Sequence, residues 1–232
     1  MDKRIANADA AIEKLFDGAT ILMGGFGTCG NPENLINAVY RKGTKNLTCV
    51  SNNVGMADFG LGFLVSERRV KKLICSFPGQ NRACQQQVLD GEIEIELVPQ
   101  GNLVERVRAG GAGLPAFYTP TGVGTVVAEG KEVREFNGKK YLLEHALRGD
   151  FAFIKAWKGD RWGNLVYRKT TRNFNPVFAT AADYVIAEVE ELVDLSDLDP
   201  DSIHTPGIFV SAIFQGTNYV KKVEKMVVRQ RV

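Results

Sequence analysis

Four glycines fall within seven residues in Gly24-Gly25-Phe26-Gly27-Thr28-Cys29-Gly30. The apolar run Ala19 to Met23 precedes them and Asn31-Pro32-Glu33 follows. The apolar run is short and bounded by turn residues, which predicts a buried strand. Asn31-Pro32-Glu33 predicts a helix start, with Asn31 as N-cap, Pro32 at the first helical position and an acid in the first turn. Strand, glycine loop and helix N-terminus together bring bare backbone N–H groups up to an anionic group. The spacing Gly25-x-Gly27-x-x-Gly30 matches a dinucleotide fingerprint, but that fingerprint also wants an acid at the end of the next strand. Here the next strand, Leu47 to Val50, ends in Ser51-Asn52-Asn53. A P-loop fails too, because Asn31-Pro32 stands where Lys-Ser/Thr would be. A carboxylate- or oxyanion-binding loop remains, beside a tight turn with no ligand.

Three strand ends form a set: Met23-Gly24-Gly25, Ser51-Asn52-Asn53, and Pro99-Gln100-Gly101 after Ile93 to Val98. In open α/β sheets ligands bind outside the carboxyl ends of the strands. One mouth would then be lined by backbone N–H groups and the amides of Asn52, Asn53 and Gln100. Such neutral groups suit a carboxylate, or a carbonyl oxygen that gains negative charge during acyl transfer. They do not suit proton transfer or nucleophilic attack. The blander alternatives are an Asx turn at Asn52-Asn53 and a solvated loop residue at Gln100. A second glycine cluster, Arg108 to Gly122, reads as a long loop that faces substrate, faces a partner, or packs as an Ω-loop.

The elements that must hold these residues alternate. Ala11, Ile12, Leu15 and Phe16 share a helical face before the first strand. Leu35, Ile36, Val39 and Tyr40 share one after it, with Gly43 as C-terminal cap. Leu47 to Val50 and Val70 to Phe77 predict strands, and residues 80–89 are helix-compatible. Ile93, Ile95 and Leu97 alternate with Glu92, Glu94 and Glu96, the pattern of a strand with one wet face. Asn102 to Ala109 predicts a short helix. This order favours an α/β fold with a central, largely parallel sheet and helices on both faces. Beyond Thr125 the predicted strands are Lys139 to Leu143, Phe151 to Trp157, Leu165 to Arg168, Tyr184 to Val189 and Ile208 to Ile213. Trp162-Gly163-Asn164 is the expected hairpin tip. No repeat or linker divides residues 1–232, which predicts a single domain.

A net charge of +2 gives no argument for nucleic acid or an anionic membrane. No window approaches the ~20 apolar residues of a membrane span, and the N-terminus lacks a signal-peptide core. Cys29, Cys49, Cys75 and Cys84 form no C-x-x-C, and read as reduced, packed thiols of a cytoplasmic protein. With only His145 and His204, no zinc site is expected. The basic run Arg68-Arg69-Val70-Lys71-Lys72 reads as a solvated face, with attraction of phosphates as the other option.

Several of these segments together resemble the family I coenzyme A transferases. They are Asp17-Gly18 with Gly24-Gly25-Phe26 and Gly30-Asn31-Pro32, then Ser51-Asn52-Asn53, and then Val98-Pro99-Gln100-Gly101-Asn102-Leu103. The Arg108 to Gly122 loop, Gly159 to Leu165 and Arg172-Asn173-Phe174-Asn175 complete the set. The likeness runs in order over nearly the whole chain and is greatest to the A-type subunit of 3-oxoacid CoA-transferases. It implies transfer of CoA from succinyl-CoA to a 3-oxo acid, acetoacetate first and 3-oxoadipate next, in ketone body metabolism or related chemistry. It implies an acyl anhydride and a glutamyl-CoA thioester, formed on a glutamate of a B-type partner. That glutamate lies in a Glu-Asn-Gly motif, which this chain lacks. Carried over, Gly24, Gly25 and Phe26 match the oxyanion loop, and Asn52, Asn53 and Gln100 match substrate-facing positions. The resemblance also implies a CoA thioester as substrate with no permanently bound cofactor or metal, and an A2B2 heterotetramer. A non-catalytic carboxylate- or nucleotide-binding module is the alternative of a different class.

Overall fold

The computed structural model describes residues 1–79, 81–220 and 222. Its central sheet contains seven parallel strands. They are β1 (Thr20–Met23), β2 (Leu47–Asn53), β3 (Val70–Phe77), β4 (Glu94–Leu97), β8 (Gly149–Asp160), β10 (Ala182–Val193) and β11 (Ala212–Gln215). Their order across the sheet is β11-β10-β8-β1-β2-β3-β4, with short β9 (Leu165–Val166) antiparallel to β8. β5 (Ala116–Thr119), β6 (Val133–Phe136) and β7 (Lys139–His145) form a separate antiparallel sheet in the order β5-β7-β6.

Side-chain alternation divides the core between the two faces of the large sheet. Ile21, Met23, Cys49, Leu73 and Phe153 point to one face. There they meet α1 (Ala8–Ala11), α2 (Glu33–Lys42), α3 (Leu61–Ser66) and α4 (Arg82–Leu89). Leu22, Val50, Ile74 and Ile154 point to the other, against Leu103 and Val107 of α5 (Gln100–Gly111) and Phe178 of α6 (Asn175–Phe178). This is the predicted fold class, a parallel sheet covered on both faces.

Several local expectations need correction. The first helix is a single turn that ends at Ala11; Leu15 is buried but Phe16 is exposed. The residues from Arg108 are not one loop, because α5 continues to Gly111 and β5 begins at Ala116. Gly110 and Gly111 serve close packing: a Cβ on Gly110 would strike the Leu147 carbonyl, and one on Gly111 would strike Thr180. Residues 208–213 do not form one strand, since a 3-10 turn at Gly207–Phe209 precedes β11. α4 starts at Arg82; Gln80 lies outside the described residues. Two further elements have sequence signals of their own. Leu61, Leu64 and Val65 have the i, i+3, i+4 spacing of α3, and Asn137-Gly138 is the two-residue hairpin pair that joins β6 to β7.

The start of α2 departs most from expectation. Pro32, not Asn31, is the N-cap, and it offers no side-chain acceptor. A carboxylate from the sheet takes that role. Glu188 of β10, fully buried, accepts from Leu35 N–H and from Asn34 Nδ2, each at 3.0 Å. An anion at a helix N-terminus is favoured by the unpaired N–H groups there. Burial nevertheless pushes the Glu188 carboxyl upward from the usual carboxylate range. Lys155 is its register partner on β8 and is also buried. Its amine lies over the Tyr219 ring at 3.0 Å and 3.6 Å from Glu190, and burial pulls its pKa down. Glu188→Ala would leave the Leu35 N–H without its acceptor, take one of two acceptors from Asn34 Nδ2 and remove a carboxylate whose charge favours the buried Lys155 ammonium. It is expected to destabilise the chain by about 3–5 kcal/mol, with Glu188→Gln losing less. Urea unfolding midpoints measure this, and a midpoint for Glu188→Ala equal to that of the unsubstituted chain would remove the capping role.

Candidate active site

The carboxyl edge of the sheet is uneven. β1 stops at Met23, whereas β8 continues beside it to Asp160. The last register pair is Met23 with Phe153, closed by Gly24 N–H donating to the Phe153 carbonyl at 3.0 Å. The chain then folds into a small hairpin in which Phe26 and Cys29 exchange N–H···O bonds, each 2.9 Å. Gly27 N–H donates to Asn53 Oδ1 at 2.8 Å. Among the described residues, Gly25 N–H has no acceptor, although Gly25 is buried. Gly25 has a φ of +128°, and a Cβ there would lie 2.7 Å from Asn31 Oδ1. Only glycine meets both conditions without strain.

The oxyanion loop expected at Gly24, Gly25 and Phe26 is therefore narrowed. The N–H groups of Gly24 and Phe26 are consumed within the fold, so neither is a free donor, and Gly25 supplies the unpaired one. The Phe26 side chain is half exposed and stacks on Phe174 with centroids 6.4 Å apart. Asn31, instead of capping α2, donates from Nδ2 to the Gly27 carbonyl at 3.1 Å.

Asn52, Asn53 and Gln100 do come together. Asn52 and Asn53 are the last two residues of β2, and Gln100 is the first of α5. Gln100 Nε2 donates to Asn52 Oδ1 at 2.7 Å, and Asn52 Nδ2 donates to Asn53 Oδ1 at 3.1 Å. Asn53 Oδ1 also holds Gly27, so one chain of amides runs from α5 to the glycine loop. Asn52 is buried and its acceptor is occupied, which makes it the interior link. Gln100 is exposed at the outer end. Sequence reasoning missed Ser76, whose hydroxyl donates to Asn52 Oδ1 at 2.9 Å and to the Asn52 carbonyl at 2.8 Å. The strand-end rule that picks out Asn52 also points to Ser76, near the end of β3.

None of these amides or hydroxyls titrates near neutrality, so they can bind and polarise a carbonyl or carboxylate but do not serve as acid or base. Among the described residues no cluster of His, Cys, Asp and Glu could hold a metal, and no helix is long and apolar enough to cross a membrane. The basic run Arg68 to Lys72 lies where β3 begins, at the opposite edge of the sheet. There Arg68 pairs with Glu92 and Lys72 with Glu94. A cavity of about 620 Å³ opens elsewhere, between α1, α2, the start of α3 and the residues Thr217, Asn218, Val220 and Lys222. Its lining includes neither Gly25 nor any of the amide chain, so volume does not mark the candidate site.

A sequence profile of the family described as coenzyme A transferase matches residues 5–216. The A-type subunit of the succinyl-CoA:3-ketoacid coenzyme A transferase of Helicobacter pylori strain J99 is 56% identical over 229 residues, covering 99% of each chain. The human mitochondrial succinyl-CoA:3-ketoacid coenzyme A transferase 2 is 49% identical over 235 residues. That match covers 94% of this chain and 46% of the human one. The crystal structure of an acyl-CoA transferase apoenzyme from Escherichia coli O157:H7 superposes with a TM-score of 0.79 at 25% identity. It is covered over 91% of this chain and 46% of its own. This chain thus spans about half the length of the latter two proteins.

The four thiols separate by environment. Cys49, Cys75 and Cys84 are buried, and burial pushes Cys49 and Cys75 up to about 12. Cys29 is exposed in the glycine loop, which corrects its reading as a packing residue. In the isolated chain at pH 8, a chromogenic disulfide reagent is expected to titrate one thiol quickly and the other three only after denaturation. Rapid reaction of all four in the native chain would contradict this packing.

Proposed function

This chain belongs to the coenzyme A transferase family, and from that premise we propose that it is the A-type half of a succinyl-CoA:3-ketoacid CoA transferase. The observation that carries the reading is the match to the Helicobacter A-type subunit over 99% of both chains. The reaction moves CoA from succinyl-CoA to a 3-oxo acid, acetoacetate in the first instance and 3-oxoadipate in the second. The CoA thioester is substrate, with no permanent cofactor. A B-type CoA-transferase subunit is the partner, in an A2B2 assembly. Cytoplasm is the proposed compartment, in keeping with four unpaired thiols.

In this reading a glutamate carboxylate of the B-type partner attacks the thioester carbonyl of succinyl-CoA. The C–S bond breaks, leaving a glutamyl–succinyl anhydride and CoA thiolate. The thiolate then attacks the glutamyl carbonyl, releasing succinate and forming the glutamyl-CoA thioester. The 3-oxo acid carboxylate repeats the sequence in reverse, which regenerates the glutamate and yields the 3-oxoacyl-CoA. No net proton or electron is exchanged, so a site made of neutral amides is sufficient on this side. Each tetrahedral species carries an oxyanion. The unpaired Gly25 N–H is the proposed donor to it, with Gly24 and Phe26 holding the loop's shape. Asn53 and Gln100 are the proposed substrate contacts, aligned through Asn52.

The isolated chain is expected to show no CoA transfer from succinyl-CoA. Co-expression with a partner that carries the Glu-Asn-Gly motif is expected to restore it. Turnover by the isolated chain would overturn the division of labour between the two halves.

Within the active pair, Gly25→Ala is expected to lower turnover by about 100- to 1,000-fold per folded complex, the usual cost of one oxyanion donor. Steady-state rates, normalised to the folded fraction, measure it. Unchanged turnover would reduce the glycine loop to a turn.

A further inference from the structure

The Arg172-Asn173-Phe174-Asn175 segment has no part in the chemistry described so far, yet its last three residues each hold a different residue of the glycine loop. Asn173 Nδ2 donates to the Cys29 carbonyl at 3.1 Å. Phe174 stacks on Phe26 with ring planes 13° apart. Asn175, with no exposed surface, donates from Nδ2 to the Gly30 carbonyl at 3.2 Å and to the Thr171 carbonyl at 2.9 Å.

The other end of the Asn175 amide meets the sheet. Its Oδ1 accepts from Lys155 N–H of β8 at 2.9 Å. Lys155 lies two residues beyond Phe153, past the last register pair with β1. Asn175 Oδ1 thus stands where a further β1 carbonyl would have continued the ladder. Gly24 makes room for it, since a Cβ on Gly24 would collide with Asn175 Oδ1. One side chain therefore bonds β8 to the end of the glycine loop and packs closely against its start.

We propose that Asn175 is a positioning residue that fixes the Gly24–Gly30 loop, and hence the direction of the Gly25 N–H, relative to β8. The effect on turnover rests on the proposed oxyanion role of that loop; the effect on the loop does not. Misplacing a reacting group by about 1 Å costs roughly 100-fold in rate, so a loosened loop should act on turnover more than on binding. A merely structural role, tying α6 to the sheet, would instead lower stability and leave the turnover of folded enzyme intact.

The test uses Asn175→Ala and Asn173→Ala. In the full complex with its B-type partner, Asn175→Ala is expected to lower kcat by roughly 100-fold while the KM for succinyl-CoA stays within about threefold. Asn173→Ala, which removes the 3.3 Å bond from Asn175 Nδ2 to Asn173 Oδ1 but leaves the Asn175 bonds to Lys155, Gly30 and Thr171 in place, is expected to lose less. In the isolated chain, hydrogen–deuterium exchange of peptides covering residues 24–30 should quicken by about tenfold or more in Asn175→Ala, with β2 and β3 peptides unchanged. Unaltered exchange in the loop, or full kcat in the folded variant complex, would overturn the proposal. A wild-type complex without CoA transfer would instead count against the proposed function, and the exchange measurement would still decide the role of Asn175.

Discussion

A buried backbone polar group must find a partner, and at the carboxyl edge of this sheet the strands no longer provide one. β1 ends four residues into its run while β8 and β10 run on. The backbone beyond Met23 is thus left without a neighbouring strand. Amide side chains fill the gap because each offers both a donor and an acceptor on a short, rigid stem. Asn175 replaces a missing carbonyl for β8, Asn53 accepts from Gly27, and Asn31 donates to Gly27. Among the described residues, the N–H of Gly25 is left without an acceptor in a buried position. An unpaired buried donor costs roughly 1–3 kcal/mol, which an acceptor that reached it would recover.

The two faces of the sheet contribute differently to holding this edge. On the α2 side the support is ionic. Glu188 takes over the N-cap that Pro32 cannot supply, and Lys155, Glu190 and Tyr219 surround it. On the α6 side the support is neutral, through Asn173, Phe174 and Asn175. The glycine loop lies between these two arrangements. Its glycines follow from that position. Gly24 leaves space for an amide from one face, and Gly25 leaves space for Asn31 at a backbone angle other residues resist.

The small sheet bears on the site indirectly. Asn102, in the first turn of α5, donates to the buried Glu144 of β7 at 3.2 Å, and Lys131 pairs with the same carboxylate at 2.7 Å. This anchors the start of the helix whose first residue, Gln100, reaches Asn52. What reads in sequence as a wandering glycine-rich loop is a helix end and a strand packed against neighbours, because Gly110 and Gly111 there remove bulk.

The sequence by itself determined the alternating α/β order, the strand ends that carry Gly25, Asn52, Asn53 and Gln100, and the lack of any acid, base or metal ligand among them. These are local properties, legible as short apolar runs, turn residues and side-chain type. It also yielded the family resemblance, because the motifs that carry it keep their order along the chain. It did not reveal that Gly24 and Phe26 spend their N–H groups, that Glu188 caps a helix some 150 residues away, or that Asn175 completes the β8 ladder. Each of those depends on partners brought together from distant segments. Which donors stay free depends on which of their neighbours have been claimed, and tertiary packing makes those claims.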